Sequence, residues 1–148
     1  RRKGREPSSR VVESGRRPAT DAERDRLGVD EVVVVRRVRL ADGDPVALET
    51  AVFPARVAGV LGDDLERVSL FEVLSKAGTV PTAGRATVSA EGANDDEAQL
   101  LDVAPGAALL VERRLIRDQD GEPIELTESR YVGGRYGLDV DFEVELPR

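Results

Sequence analysis

Cysteine, histidine, methionine and tryptophan are absent from this chain of 148 residues, which has only two tyrosines and three phenylalanines. Without cysteine there is no disulfide and no thiol nucleophile; without histidine neither a Ser-His nor a Cys-His pair can form. The same two absences remove the usual ligands of zinc, so no metal or other cofactor is expected. So few aromatic rings make a base-stacking platform for single-stranded nucleic acid improbable. No apolar run is long enough to span a bilayer and no signal peptide opens the chain. A soluble, cytoplasmic protein with no membrane partner is the expectation. The length suits one domain with a real core. The chain begins at Arg1 rather than Met, which suggests a piece of something longer.

Charge is plentiful but unevenly spread. Residues 1–17 hold seven Lys or Arg against Glu6 and Glu13, a net of +5, so the remainder, with fifteen against twenty-seven, carries −12 and the whole −7. An acidic body is a poor surface for phosphate backbones, which need clustered cations. Residues 1–9 read as a linker remnant or disordered basic arm, and residues 10–148 as the folded domain.

The chain is organised around Val32–Phe53, where two alternating apolar runs flank the turn signal Asp42-Gly43. The design recurs at Leu109–Tyr131, again with Asp-Gly-x-Pro at the turn; aligning Pro45 with Pro123 places Arg39 over Arg117 and Arg36 over Arg114. Register decides which charges meet. A two-residue Asp42-Gly43 loop puts Glu49 on the face of Arg36. A three-residue loop, with Gly43 in a left-handed bulge, puts it with Arg37 and Arg39. A carboxylate between Ala47 and Ala51, opposite two guanidiniums, is either a structural ion pair at a sheet rim or part of a hollow for a small charged guest.

Elsewhere, Arg10–Glu13 suggests a short strand. Thr20 and Glu23 mark a helix stopped by Gly28, and Pro54–Leu61 a loop or short helix. Capping boxes at Ser69–Glu72 and Asn94–Glu97 open two further helices, the first running to about Ala77, the second ending near Leu101 with Pro105-Gly106 as its stop. Gly84–Glu91 alternates weakly as a strand. Leu138, Val140, Phe142, Val144 and Leu146 alternate with acids and predict a closing strand with one face in the core. Hairpins with helices between them predict an α+β domain, an antiparallel sheet covered by helices.

The series Arg37-x-Arg39, Asp-Gly-x-Pro45, Glu49, Ser69-Leu-Phe71, Leu100–Pro105-Gly106, Asp120-Gly-x-Pro123 with Glu125, and Arg135-Tyr136 resembles the UTRA domain. This is the effector-binding domain of HutC-type regulators in the GntR family. The resemblance covers Ser8 to Leu146. It implies a chorismate-lyase-like fold, a homodimer, and an N-terminal winged helix-turn-helix, absent from this chain, through which alone operator DNA would be read. In relatives that sense sugar phosphates, the positions matching Arg37, Arg39 and Ser69 hold the phosphate, and those matching Glu49, Glu125 and Tyr131 the sugar. Two guanidinium forks and a helix N-terminus at Ser69 suit an anion, although from sequence alone Ser69 reads better as a helix cap, and only the resemblance raises it to a ligand. Phe71 stands where such sensors carry tyrosine, and Val132-Gly-Gly-Arg-Tyr136 replaces their Arg-Gly-Asp-Arg-Tyr, which favours a small anion, a sugar phosphate or organic acid, over a phosphosugar specifically.

The resemblance therefore implies a ligand-sensing module rather than an enzyme, with a chorismate-lyase-like enzyme or a ligand-free dimerisation domain as alternatives. In an enzyme, acid–base work would fall to Glu49 or Glu125, which facing guanidiniums would keep ionised. Arg37→Ala is expected to abolish anion binding and leave the fold intact.

Overall fold

The computed structural model describes residues 6–57 and 78–147. In chain order the elements are β1 (Pro7–Pro18), α1 (Asp21–Leu27), β2 (Glu31–Ala41), β3 (Asp44–Pro54), β4 (Pro81–Gly92), α2 (Asp95–Leu101), β5 (Ala108–Asp118) and β6 (Pro123–Val132). All six strands join one antiparallel sheet in the order β1-β2-β3-β6-β5-β4. Both helices lie on the same face of it, which makes the domain α+β as expected. The predicted helix from Ser69 falls outside the described residues.

The run Val32–Val35 is buried on both sides, which is why it reads as a continuous apolar stretch instead of an alternation. Val32 and Val34, with Val52, pack under Ala19 and Leu27 at the α1 end. Val38, Leu48, Leu109, Val111 and Val132 pack under Ala98 and Leu101 of α2. On the opposite face Val33, Val35, Ala51, Phe53, Ile116 and Ile124 form a separate cluster with Val57.

The predicted capping box at Asn94–Glu97 is present, that at Ser69–Glu72 lies outside the described residues, and the α1 start adds another. Thr20 and Glu23 exchange side-chain and backbone hydrogen bonds at the start of α1, as do Asn94 and Glu97 at α2. Gly28 ends α1 in the left-handed region. Asp102, with φ 54°, ends α2 before Pro105 is reached, so Pro105-Gly106 belongs to the following turn and not to the helix stop.

The first hairpin satisfies neither register option as framed. Asp42 and Gly43 form a two-residue turn with φ 51° and 81°, the left-handed pair that matches strand twist. An extra residue then enters β3, because Leu40 pairs with Pro45 but Arg39 with Ala47. That bulge at Val46 moves Glu49 opposite Arg37, the outcome assigned above to the longer loop. The second hairpin repeats the bulge at Ile124, between the pairs Arg117–Pro123 and Ile116–Glu125. Its turn, however, is longer on the β5 side, closed by Asp118 N–H donating to the Glu122 carbonyl at 2.9 Å. One residue of slip flips a strand. Arg114 therefore takes the face of Arg37, while Arg117 and Arg113 take the helix face. The alignment of Arg39 with Arg117 and of Arg36 with Arg114 does not survive in three dimensions.

Two boundaries differ from expectation. β1 is a full twelve-residue strand from Pro7, not a four-residue one, because β2 offers it a partner along its whole length. It thus begins inside the stretch read as a basic arm. Residues Leu138–Leu146 form no strand, and their apolar side chains are exposed. Alternation specifies which side chains share a face but supplies no neighbour to hydrogen-bond.

Arg135 fastens the turn after β6. Its guanidinium donates to the carbonyls of Pro45 and Leu101, each at 2.8 Å, and of Asp102 at 2.9 Å. A cation there also suits the C-terminal end of α2. Arg135→Ala should cost about 2 kcal/mol, since charge-assisted hydrogen bonds contribute roughly 1.5–3 kcal/mol. Urea unfolding is the measurement; no change in midpoint would show that solvent replaces all three contacts.

Candidate functional site

The face of the sheet opposite the helices carries a row of polar groups where apolar ones would be routine. Antiparallel register aligns them: Arg37 opposes Glu49, Glu49 opposes Ser129, and Ser129 opposes Glu112 across β2, β3, β6 and β5. One rung away Ala51, Thr127 and Arg114 align, and one rung the other way Arg39, Ala47, Tyr131 and Leu110. The small side chains of Ala47 and Ala51 flank Glu49 without crowding it.

Arg37, Glu49, Glu125, Thr127 and Ser129 are all buried. Arg37 Nη2 donates to Glu49 Oε1 at 2.6 Å, and Arg39 Nη1 donates to Glu49 Oε2 at 3.4 Å. The Arg37 side chain is 5% exposed and that of Arg39 43%. The pair reading and the hollow reading thus meet in one arrangement. Arg37 and Glu49 neutralise each other in the interior, and Arg39, held by a longer contact, presents its charge at the surface.

Glu125 departs from expectation. Facing guanidiniums should keep it ionised, yet its pKa is raised. Burial is the largest cause, and repulsion from Glu49 adds to it. The Thr127 hydroxyl, Arg114 and Arg37 pull the other way and do not prevail. Thr127 Oγ1 donates to Glu125 Oε2, while Oε1 has no hydrogen-bond partner among the described residues. A protonated Glu125 would offer a donor, and an ionised one an acceptor, from the floor of this face.

The sign of the resulting pH dependence follows from linkage. A carboxyl whose folded pKa is raised binds its proton more readily in the native state. Its contribution is full below the ordinary glutamate value and is lost as pH rises through the raised one. Glu125→Gln removes that loss. The variant should melt closer to wild type at acidic pH and gain on it towards neutrality. Parallel melting curves across the whole range would show Glu125 titrating normally.

Tyr131 stacks on Tyr136, with ring centroids 3.9 Å apart and planes 15° from parallel. The pair uses two of the few aromatic rings at one spot beside Ala47. Burial raises the Tyr131 pKa, so the phenol stays protonated; the Ser129 hydroxyl opposes this without prevailing. Ser129 Oγ itself makes no hydrogen bond of ordinary geometry among the described residues.

Of the residues singled out by sequence, the structure brings Arg37, Arg39, Glu49, Glu125 and Tyr131 onto one face. Ser69 and Phe71 lie outside the described residues. Arg114 lies opposite Thr127 on this polar face and is ion-paired there, its Nε 3.3 Å from Glu112 Oε1. Only the slip in the second turn puts it there, and nothing in its own sequence neighbourhood signals this. Arg113 is ion-paired on the helix face, bridging Glu91 and Glu128 at 2.9 Å each. Arg36 sits on the helix face and pairs with Asp96 at 3.0 Å.

Comparison with known proteins bears on this geometry. A family model described as the UTRA domain matches residues 2–137. The chain is 27% identical over 138 residues to the HTH-type transcriptional repressor NagR of Bacillus subtilis, covering 90% of this chain and 57% of NagR. It is 33% identical over 138 residues to the HTH-type transcriptional regulator Rv0792c of Mycobacterium tuberculosis, covering 88% of this chain and 49% of that protein. The chain thus spans about half the length of these curated relatives. Among solved structures, the effector domain of PhnF from Mycobacterium smegmatis superposes with a TM-score of 0.89 at 27% identity, covering 95% of this chain and 90% of that one. These relatives and neighbours are transcription regulators and not enzymes, which removes the chorismate-lyase-type alternative. With its family model, its sheet and its regulator relatives in agreement, this chain belongs to the UTRA domain family, the effector-binding module of GntR-family transcription regulators.

Proposed function

We propose that this domain binds a small anionic metabolite, a sugar phosphate or an organic acid, on the polar face of the sheet. Binding there controls operator recognition by a winged-helix domain outside this chain. The observation that carries the proposal is the buried Arg37–Glu49 pair beside Glu125, with Arg39 reaching the surface above it. A buried polar group lacking a partner is costly, and a ligand is one way to satisfy it. Ser69 and Phe71 would complete the site from the segment outside the described residues, with Ser69 and the two arginines toward the anion and Glu49, Glu125 and Tyr131 toward the neutral end. The working unit is a cytoplasmic homodimer. Ligand then shifts the spacing of two DNA-reading heads, a coupling whose size equals the ligand's preference for one arrangement.

A thermal-shift screen of sugar phosphates, organic acids and amino-acid catabolites should find a stabilising compound. Arg39→Ala is the discriminating variant, because Arg39 is half exposed and leaves no buried charge behind. Losing one charge-assisted contact of about 1.5–3 kcal/mol should weaken an anion roughly 10- to 100-fold. A hit whose affinity ignores Arg39→Ala would place the ligand elsewhere. No hit in a broad screen would favour a ligand-free dimerisation domain.

A further inference from the structure

In a chain with 29 acidic and 22 basic residues, an arginine has carboxylates within easy reach. On the helix face of the sheet most arginines find one. Arg36 pairs with Asp96, Arg113 with Glu91 and Glu128, and Arg130 with Glu91, Glu97 and Glu128. Three arginines on the same face break this habit. Arg26 and Arg85 make no ion pair or side-chain hydrogen bond among the described residues. Arg117 donates only to a neutral group, the Gly121 carbonyl, at 3.1 Å.

All three line one cleft of about 550 Å³, together with Ala83, Gly84, Thr87 and Leu115. No carboxylate is among the lining residues, and none of the acids of the tail Leu138–Leu146 belongs to them. Register explains two of the arginines. Arg85 opposes Leu115, and Ala83 opposes Arg117, so Arg85 and Arg117 are diagonal neighbours on one side of β4 and β5. Packing explains the third. Leu115 and Leu27 belong to one apolar cluster, which holds the end of α1 against the sheet and sets Arg26 beside the same cleft. Burial of apolar groups therefore brings three like charges together, and a bound anion relieves their repulsion.

The shape of the cleft narrows the guest. Small-molecule sites span roughly 300–1,000 Å³, and this one exceeds what a single phosphate fills. Guanidinium forks from three separate elements suit two or more linked phosphate groups, each offering a pair of oxygens to a pair of N–H donors. A DNA duplex fits less well, because its backbone needs cations spread along a surface, and these converge within a hollow of an acidic body.

We propose that this cleft is a second anion site, on the side of the sheet opposite Arg37 and Arg39, where Arg26, Arg85 and Arg117 hold a small molecule carrying linked phosphates, such as pyrophosphate or a nucleoside polyphosphate. The Thr87 hydroxyl adds a neutral donor. The site shares no residue with the polar face, so either can fail while the other stands.

The test is calorimetric titration of the full chain with inorganic pyrophosphate and with orthophosphate at one fixed ionic strength, which holds screening constant. Pyrophosphate should bind at least about 10-fold more tightly, and Arg26→Gln and Arg85→Gln should each weaken it roughly 10- to 100-fold. Both side chains are exposed and without a native partner, so the variants should keep the wild-type circular dichroism. Arg39→Ala should leave pyrophosphate affinity unchanged. Binding that falls with Arg39→Ala and ignores the two glutamine variants would put the polyanion on the polar face and overturn the second site. Equal affinity for the two anions would mean an adventitious ion only, and no binding at millimolar pyrophosphate would remove the site altogether. A random-sequence duplex that binds through Arg26 and Arg85 where pyrophosphate does not would make a phosphate backbone the guest and overturn the small-molecule assignment.

Discussion

Arg37→Ala should destabilise the domain by about 3–5 kcal/mol, the usual consequence of leaving one partner of a buried ion pair uncompensated. This replaces the expectation, drawn from sequence alone, that the variant would leave the fold intact. The reason is the burial of both partners, 5% and 11% exposed at their side chains, and their 2.6 Å contact. Arg39 cannot take over, because its own contact with Glu49 is 3.4 Å and half in solvent. Removing both charges at once, as Arg37→Met with Glu49→Leu, should recover most of the loss, since a packed apolar pair of similar volume is often as stable as a buried ionic one. Urea denaturation of both singles and the double gives the coupling between them. If the single variant loses under 1 kcal/mol, solvent reaches Glu49 and the site is wetter than its burial indicates. The double variant also keeps the fold while deleting two proposed ligand contacts, which makes it the cleaner test of binding.

Phe53→Ala should cost a similar amount, about 3–5 kcal/mol, by opening a cavity in the core. Phe53 is fully buried, and its cluster holds Val33, Val35, Ala51, Val57, Ile116 and Ile124. Most of these are short or β-branched residues fixed in strands, and they cannot swing in to fill the gap. Phe53→Leu should recover more than half of the loss, as the smaller change leaves a smaller void. Equal destabilisation by leucine and alanine would show that ring shape, and not volume, is what the cluster requires. Phe53 shares a strand face with Glu49, so the alanine variant should also loosen the floor of the proposed site, measurable as weaker binding at a temperature where the variant remains folded.

The local chemistry of the chain was sufficient for much of this. Asp42-Gly43 demands a left-handed turn. Thr20–Glu23 and Asn94–Glu97 each close their own capping box within four residues. The run Val32–Val35 announces a strand buried on both sides. All of these depend on groups near one another in the chain, so their energetics are visible without a fold. The grouping of Arg37, Arg39 and Glu49 was available as one of two registers.

Choosing between those registers required the tertiary structure, because the deciding feature is the bulge at Val46, a backbone irregularity that costs no particular residue type. The same holds for the longer second turn, which moved Arg114 onto the polar face and Arg117 off it. The ionisation of Glu125 also depended on packing. The number of nearby guanidiniums suggested a charged carboxylate, but how much water the strands exclude sets the balance. The tail shows the converse. Its alternation is the clearest in the chain, yet it forms no strand with the described sheet. Pattern settles which side chains travel together, and only a neighbouring backbone decides whether they are buried.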